Sequence, residues 1–307
     1  MNKIIMITGA NGGIGKDTAR QLAMIAGTEK IYLACRNKDR AKAAKKDLEE
    51  TTGKSIFEIV IMDVSNPDSV RSAVKALDGP IDALVMNAGG MGGKEPGKIT
   101  PDGVTQLFAA NVLGHVVLVD ELLSAGKLKN VALYASSEAV RGVKKMGMKR
   151  PDLKTSSEDE IASIIDGSFF GQNMDAMEAY GYIKYVATLW MSSLAREHSN
   201  VRFISMSPGG TSGTAVMDDL SLVKKIMLKY IAMPIIMPMM GMAHKLEVGA
   251  KRFVDGINDG SLKSGVFYAS KEKVLTGPIM DQSILFADLS NTKFQNNANA
   301  AIHRFIQ

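Results

Sequence analysis

A tyrosine and a lysine four positions apart are the side chains whose types and spacing point most directly to proton transfer. Tyr180 and Lys184 belong to the segment Tyr-Gly-Tyr-Ile-Lys, and this spacing puts both on one face of a helix. A phenol has an ordinary pKa of about 10, too high for acid–base work at neutral pH, but a neighbouring ammonium lowers that pKa. The same spacing also occurs by chance in ordinary surface pairs, so its meaning depends on the motifs that accompany it.

A glycine-rich turn lies between the first predicted strand, residues 3–7, and the first predicted helix, residues 15–26. It reads Thr-Gly-Ala-Asn-Gly-Gly-Ile-Gly from Thr8 onward. Glycine allows a tight turn and lets the backbone approach a pyrophosphate, which then lies against the helix N-terminus. The turn therefore predicts a dinucleotide site, and its expected cofactor contacts are Gly9, Asn11, Gly13, Ile14 and Gly15.

An arginine stands where the choice between NAD and NADP is usually made. About twenty residues after the glycine turn, an NAD site places an acid against the ribose 2′-hydroxyl. Here the second strand is followed by Arg36, with Arg40 one turn further on. A planar guanidinium suits a phosphate, and a charge-assisted contact is worth about 1.5–3 kcal/mol. We therefore expect NADP(H), with a solvated surface arginine as the alternative.

Apolar strands alternate with helices along most of the chain. This order predicts an α/β fold, a doubly wound and mostly parallel Rossmann sheet with helices on both faces. Ligands bind outside the carboxyl ends of such strands, so polar clusters that follow different strands should meet at one edge. The predicted strands are 3–7, 31–34, 57–62, 81–86, 130–135, 201–206 and 266–268, and the predicted helices are 15–26, 39–51, 68–77, 104–124, 180–198 and 216–258.

Together these motifs resemble the short-chain dehydrogenase/reductase family over roughly residues 3–270. Within the family, the segment from Ala34 to Asn37 and the long interval between Ser137 and Tyr180 resemble retinol dehydrogenases, carbonyl reductases and protochlorophyllide reductases. The matching residues are Thr8, Gly9, Gly13 and Gly15 in the turn, Asn87, Ala88 and Gly89 in the Asn-Ala-Gly signature, Tyr180 and Lys184 in the Tyr-x-x-x-Lys pair, and Pro208 and Gly209 after the sixth strand.

The resemblance implies an enzyme that interconverts a carbonyl and an alcohol with NADP(H). Tyr180 would donate the proton in reduction and accept it in oxidation, while Lys184 would lower its pKa and hold the nicotinamide ribose. Ser137 would bind the substrate oxygen, with Ser136 as the alternative. Asn111 would support a water that links Lys184 to solvent. The remaining implied cofactor contacts are Asp63 and Val64 at the adenine, and Asn87, Ala88, Gly89, Pro208, Gly209 and Thr211.

The whole chain, residues 1–307, is expected to form one domain with two additions. An insertion at about 141–172 separates Ser137 from Tyr180 and is expected to lie over the substrate pocket. A helical lid is expected at about 212–258. Residues 226–243 within it hold six methionines, and methionine adapts to irregular apolar ligands. The substrate is therefore expected to be hydrophobic, although a core helix or a membrane contact would explain the same residues.

Composition excludes several other classes of protein. The formal charge of +5 and the aromatic share of 6% do not suit a nucleic-acid partner. The single cysteine, Cys35, excludes an internal disulfide, and the four histidines lack metal-ligand spacing. No uninterrupted apolar run reaches eighteen residues, so a cytoplasmic protein is expected, with peripheral membrane contact and oligomerisation left open. The alternative functions are a dinucleotide-sensing interaction protein without catalysis and a C=C reductase of the protochlorophyllide-reductase type.

Overall fold

The computed structural model describes residues 2–143, 147–211 and 242–306. Its described strands form one sheet in the order β3-β2-β1-β4-β5-β6-β7-β8. The strands β1 to β7 are parallel, and β8 pairs with β7 in the antiparallel direction. The strands are β1 (Ile4–Thr8), β2 (Lys30–Cys35), β3 (Phe57–Ile61), β4 (Ile81–Met86), β5 (Leu128–Ala135), β6 (Arg202–Met206), β7 (Val266–Ser270) and β8 (Ile279–Asp281).

Helices follow the strands, and several begin at a side-chain cap. Asn37, Asn66 and Asp175 each accept a hydrogen bond from a backbone N–H in the first turn of the helix that follows, which satisfies a donor that the helix leaves open. The described helices of eight or more residues are α1 (Gly13–Ala23), α2 (Lys38–Thr52), α3 (Pro67–Lys75), α4 (Gln106–Ser124), α5 (Glu158–Ile165), α6 (Ala176–Glu197), α7 (Leu246–Asn258) and α8 (Thr292–His303).

The sheet is covered by helices on both faces. One core lies under α1, α2 and α7 and contains Leu22, Leu48 and Phe253. The other core lies under α3, α4 and α6 and contains Val116 and Trp190. The helices α5 and α8 pack against α6 and against each other. The predicted doubly wound Rossmann sheet is thereby confirmed, and each of the seven predicted strands overlaps one of β1 to β7.

The helix α4 is long and apolar enough to cross a membrane, but most of it is buried inside the protein. It contains a π-helical segment at Ala109–Leu113. Such segments are rare and often occur at functional sites. Here the segment carries Asn111, one of the residues expected in the site.

The described parts of the two predicted additions pack against the rest of the molecule. The insertion 141–172 contains α5, whose Ile161, Ile164 and Ile165 are buried in the core beside α6 and α8. The last part of the predicted lid is α7, which packs against α1 and the sheet, so 246–258 belongs to the helical layer. Residues 212–241 of the lid, with most of the methionine-rich segment, lie outside the described residues.

Candidate active site

The polar clusters meet at the carboxyl edge of the sheet, on either side of the point where the strand order reverses. From β1 the chain first builds β2 and β3 on one side and then crosses to β4 on the other. Neighbouring loops diverge at such a point and leave a crevice in which dinucleotides bind. The glycine-rich turn follows β1 at this position, and Asn87 follows β4.

The glycine-rich turn is fixed to the Asn-Ala-Gly segment by hydrogen bonds. Thr8 Oγ1 accepts the backbone N–H groups of Asn87 and Ala88, each at 2.9 Å, and Asn87 Nδ2 donates to the Thr8 carbonyl at 2.9 Å. Gly9 has a φ of +67°, and a Cβ on Gly15 would lie 2.6 Å from the Gly9 carbonyl oxygen. The turn therefore needs glycine at both positions, since a side chain would push it away from β4.

Two arginines stand on the surface where the 2′-phosphate of NADP is expected. Arg36 directly follows β2, and Arg40 lies in the first turn of α2, and both are exposed. The Arg40 backbone N–H donates to the capping Asn37 Oδ1 at 2.9 Å. Both residues therefore belong to the N-terminal end of α2, where backbone N–H groups also favour an anion.

The expected adenine contacts follow β3 in a closely packed loop. Asp63 Oδ1 accepts from the Ser65 backbone N–H at 2.9 Å and from Ser65 Oγ at 2.7 Å. The backbone of Val64 lies so close to α4 that a Cβ on Gly114 would meet Val64 Cα at 2.9 Å. Gly114 thus sets the distance between this loop and α4, a role for which the sequence carries no local signal.

Ser137 and Tyr180 lie together, although 43 residues separate them in the sequence. Tyr180 is half-buried on α6. Burial raises the pKa of Tyr180, and a side-chain hydrogen bond with Ser137 lowers it by less. Ser136 faces another way, because its buried Oγ bonds Thr188 Oγ1 at 2.8 Å. The geometry thus favours Ser137 over Ser136 as the partner of Tyr180.

Lys184 is buried one turn further along α6. Its Nζ donates to Tyr134 Oη at 3.1 Å and to the Ala135 carbonyl at 2.8 Å, both on β5. Burial lowers the pKa of Lys184 to about 7. Its Nζ lies 5.5 Å from the centre of the Tyr180 ring. The pKa of Tyr180 is raised overall, because burial outweighs the hydrogen bond with Ser137, and the effect of Lys184 on that pKa stays a prediction.

Asn111 is fixed by its side chain and by its carbonyl. The side chain exchanges hydrogen bonds with the Gly90 backbone, with Nδ2 to carbonyl at 2.8 Å and N–H to Oδ1 at 3.2 Å. The Asn111 carbonyl oxygen lies 3.2 Å from Tyr134 Oη and 3.0 Å from His115 Nδ1. The water-mediated link to Lys184 that the family resemblance implies stays a prediction.

A buried ionic network supports the loop after β6. Glu138 directly follows Ser137, and its carboxylate accepts from Ser207 Oγ at 3.0 Å and from Ser270 Oγ at 2.9 Å. It also pairs with Arg141 and with Arg252 of α7. These residues carry no local sequence signal, because apart from the Glu138–Arg141 pair the contacts of Glu138 join segments more than sixty positions apart.

The network stands next to the loop that carries the remaining expected cofactor contacts. The Arg252 guanidinium donates to the Ser207 carbonyl at 3.1 Å. Thr211 Oγ1 donates to the carbonyls of Pro208 and Gly209, each at 3.2 Å. The loop 207–211 is thus held at the same sheet edge as Ser137.

Comparison with known proteins agrees with this fold. A family model described as short chain dehydrogenase matches residues 3–143. The chain is 30% identical over 209 residues to dehydrogenase/reductase SDR family member 12 of Bos taurus, covering 67% of this chain and 60% of that protein. It is 36% identical over 133 residues to human retinol dehydrogenase 11, covering 42% of this chain and 40% of that protein.

A solved structure shows the same fold over most of the chain. L-sorbose reductase from Gluconobacter frateurii, complexed with NADPH and L-sorbose, superposes with a TM-score of 0.62 at 20% identity, covering 90% of this chain and 97% of that chain. The chain belongs to the short-chain dehydrogenase/reductase family, a family of oxidoreductases. Its matches span less than two thirds of the length of the two curated relatives.

Proposed function

We propose that the protein is an NADP(H)-dependent oxidoreductase that interconverts a carbonyl and an alcohol on a hydrophobic substrate. The observation that carries this proposal is the meeting of Ser137, Tyr180 and Lys184 at the carboxyl edge of the sheet, next to the glycine-rich turn. A binding protein without catalysis would not need a phenol hydrogen-bonded to a serine beside a buried amine. The dinucleotide-sensing alternative is therefore less well supported.

The glycine-rich turn suits the cofactor's pyrophosphate. A Cβ built on Gly12 or Gly13 would meet nothing within 4 Å, so this part of the turn offers open backbone where a ligand can approach. α1 begins at Gly13, and its N-terminus favours an anion. When bound, the nicotinamide supplies or accepts the hydride.

The protein's own residues would orient the substrate and move the proton. Ser137 would hydrogen-bond the substrate oxygen and hold it next to Tyr180 Oη. In the reductive direction, Tyr180 would give its proton to that oxygen, and in the oxidative direction it would take the proton back. Lys184 Nζ has three N–H donors. Two bind β5, and the third would hold the nicotinamide ribose.

Arg36 supports NADP(H) as the cofactor. It stands exposed at the end of β2 with Arg40 nearby, in the position where an NAD site would carry an acid. The apolar substrate is supported by the likeness to retinol dehydrogenase 11 and by the methionine-rich segment. A cytoplasmic location with contact to a membrane surface fits the same segment and is part of the proposal. Reduction of a C=C bond, with Tyr180 protonating carbon, is the second candidate reaction.

Substitution of Tyr180 tests the proposal directly. Tyr180→Phe keeps the ring but removes the transferable proton, and general acid catalysis typically contributes about 10²–10⁴-fold. We expect kcat to fall by that factor, with NADPH affinity unchanged, when NADPH oxidation is followed with retinal and with aliphatic aldehydes of increasing chain length. Tyr182→Phe is the matched control, because Tyr182 lies on the same helix with its hydroxyl 3.3 Å from Asp152 backbone atoms. Equal turnover by both variants would reject the role given to Tyr180.

A further inference from the structure

Tyr134 lies between Lys184 and Asn111 in the interior of the protein. Its side chain comes from β5 and is fully buried. Lys184 Nζ donates to Tyr134 Oη at 3.1 Å, and Tyr134 Oη donates to the Asn111 carbonyl at 3.2 Å. A phenol oxygen thus bridges the lysine and the π-helical segment of α4.

The direction of each hydrogen bond follows from the neighbours. A backbone carbonyl can only accept, so His115 Nδ1, 3.0 Å from the Asn111 oxygen, carries a proton. His115 Nε2 then accepts from Thr8 Oγ1 at 3.0 Å, and the Thr8 oxygen is itself occupied by two backbone N–H groups. This neutral tautomer agrees with burial, which lowers the pKa of His115 to about 4.

Both hydrogen bonds end on the same atom of α4. The Asn111 carbonyl oxygen accepts from the Tyr134 hydroxyl and from His115 Nδ1–H. Because the Tyr134 proton is directed to Asn111, the phenol oxygen can only accept from Lys184. The lysine is therefore held by a fixed acceptor of the protein.

The ring of Tyr134 is fixed as firmly as its hydroxyl. It packs edge-on against His115 on one side and Trp190 on the other, with ring centres 6.1 and 6.4 Å apart. The Lys184 ammonium also lies 4.6 Å from the centre of the Tyr134 ring. We propose that Tyr134 is a positioning residue, whose hydroxyl, anchored on the Asn111 carbonyl, holds the Lys184 amine in the orientation that leaves one N–H for the cofactor ribose. This inference rests on the proposed function of Lys184.

Removal of the hydroxyl alone tests the inference. In Tyr134→Phe the ring contacts remain, and the space left by one oxygen is smaller than a water molecule needs. Losing a hydrogen bond to a charged group costs at least a factor of about ten. We therefore expect the Kd for NADPH to rise about tenfold, and kcat/KM with aliphatic aldehydes to fall by at least as much. Tyr32→Phe is the matched control, because Tyr32 is also a buried residue of the sheet and its partly buried hydroxyl contacts a lysine, Lys30, at 3.5 Å.

The pH profile separates positioning from general damage to the fold. The titratable groups around the Lys184 amine are His115 on α4, Tyr134 on β5 and Tyr180 on α6, and His115 stays neutral. An oxygen that accepts from the ammonium favours its charged form and raises the pKa of Lys184. Without the Tyr134 hydroxyl, Lys184 should lose its charge at a lower pH. In Tyr134→Phe the rise in the Kd for NADPH on the alkaline side should therefore begin at a lower pH than in the wild type. Structural damage would weaken binding equally at every pH.

The outcomes distinguish this inference from the proposed function. If Tyr180→Phe loses turnover while a folded Tyr134→Phe matches Tyr32→Phe in Kd, kcat/KM and pH limb, the role of Tyr134 is rejected and the proposed function stands. If the wild-type protein binds no NADPH, both are rejected. Should Tyr134→Phe fail to fold, Tyr134→Met fills the site with an adaptable side chain and also lacks the hydroxyl, so the same loss and shift are expected.

Discussion

Lys184 is only 3% exposed to solvent, so its amine lies in the interior of the protein. Burial opposes the charged form, which explains why its pKa falls to about 7. Perturbed titratable groups cluster at functional sites because the arrangement that serves chemistry does not maximise stability. The amine should therefore reduce the stability of the folded protein while it serves the reaction.

This cost can be measured as a function of pH. With a pKa of about 7 in the folded state and an ordinary value of 10.5, the unfolded chain binds more protons between these pH values, so stability rises with pH across that window. Lys184→Met removes the amine and should raise the Tm by about 2–4 °C, equivalent to roughly 1 kcal/mol, while turnover is lost. The difference in Tm from wild type should be largest below pH 7 and shrink above it. A constant difference from pH 6 to 9 would contradict the burial effect.

Arg36 should determine the choice of cofactor. Arg36→Asp replaces attraction of the 2′-phosphate by repulsion and places an acid where NAD sites carry one. A charge-assisted contact of about 1.5–3 kcal/mol predicts a rise of about ten- to a hundredfold in the KM for NADPH, with the KM for NADH unchanged or lower. Lys38→Asp, an equal charge change at the neighbouring exposed residue, is the control. Equal effects of both substitutions would indicate only a general charge effect.

At the scale of elements, the buried network around Glu138 joins β5, β6, β7 and α7. Glu138 and Arg252 are 6% exposed each. Burial lowers the pKa of Arg252, and the pairing with Glu138 opposes that shift. Such groups are stable only while each keeps its partners. The network therefore ties the segment after Ser137 to the loop 207–211, where cofactor contacts are expected.

Substitution of Glu138 should affect both the stability and the site. Glu138→Ala leaves two arginines without their buried partner, which typically costs about 3–5 kcal/mol. Asp255→Ala removes an exposed pair with Lys251 on the surface of the same helix, α7, and should cost less than about 1 kcal/mol. Urea unfolding measures both. If the two variants have the same midpoint, the network does not stabilise the sheet edge.

The elements that the sequence predicted well are those with local signals. Strand 81–86 agrees with β4 at both ends, because a mostly apolar run, interrupted only by Asp82, ends at a polar turn. The sequence did not predict α5, β8 and α8, because their stability comes from packing on α6 and β7 rather than from a strong pattern of their own. The roles of Tyr134, His115 and Glu138 also require contacts between distant strands and helices, which spacing along the chain cannot supply.

At the scale of the whole molecule, the insertion and the C-terminal segment are joined across α6. Arg150 of the insertion pairs with Asp288, and Tyr185 of α6 donates to the same carboxylate at 2.6 Å. Arg150 also lies over the Phe286 ring, 4.3 Å from its centre. The helix that carries Tyr180 and Lys184 is thus held between segments that a minimal Rossmann sheet does not need.

The helix α8 should therefore be required for the geometry of the site as well as for stability. Ala301 is fully buried against this core, whereas its neighbour Ala300 is exposed. Ala301→Asp would bury an unpaired carboxylate or detach α8 from α6, at a cost of about 3 kcal/mol or more. Ala300→Asp makes the same chemical change at the adjacent position of the helix, where the side chain is exposed.

The two aspartate variants should differ in urea unfolding and in turnover. We expect Ala301→Asp to unfold at lower urea, as followed by the fluorescence of Trp190, which is buried on α6 beneath α8. Its kcat should also fall below wild type in the absence of urea, since α6 loses its packing partner, while Ala300→Asp keeps both properties. A less stable Ala301→Asp with full turnover would show that α8 stabilises the fold without positioning Tyr180 and Lys184. Equal unfolding of both variants would contradict the packing of α8 itself.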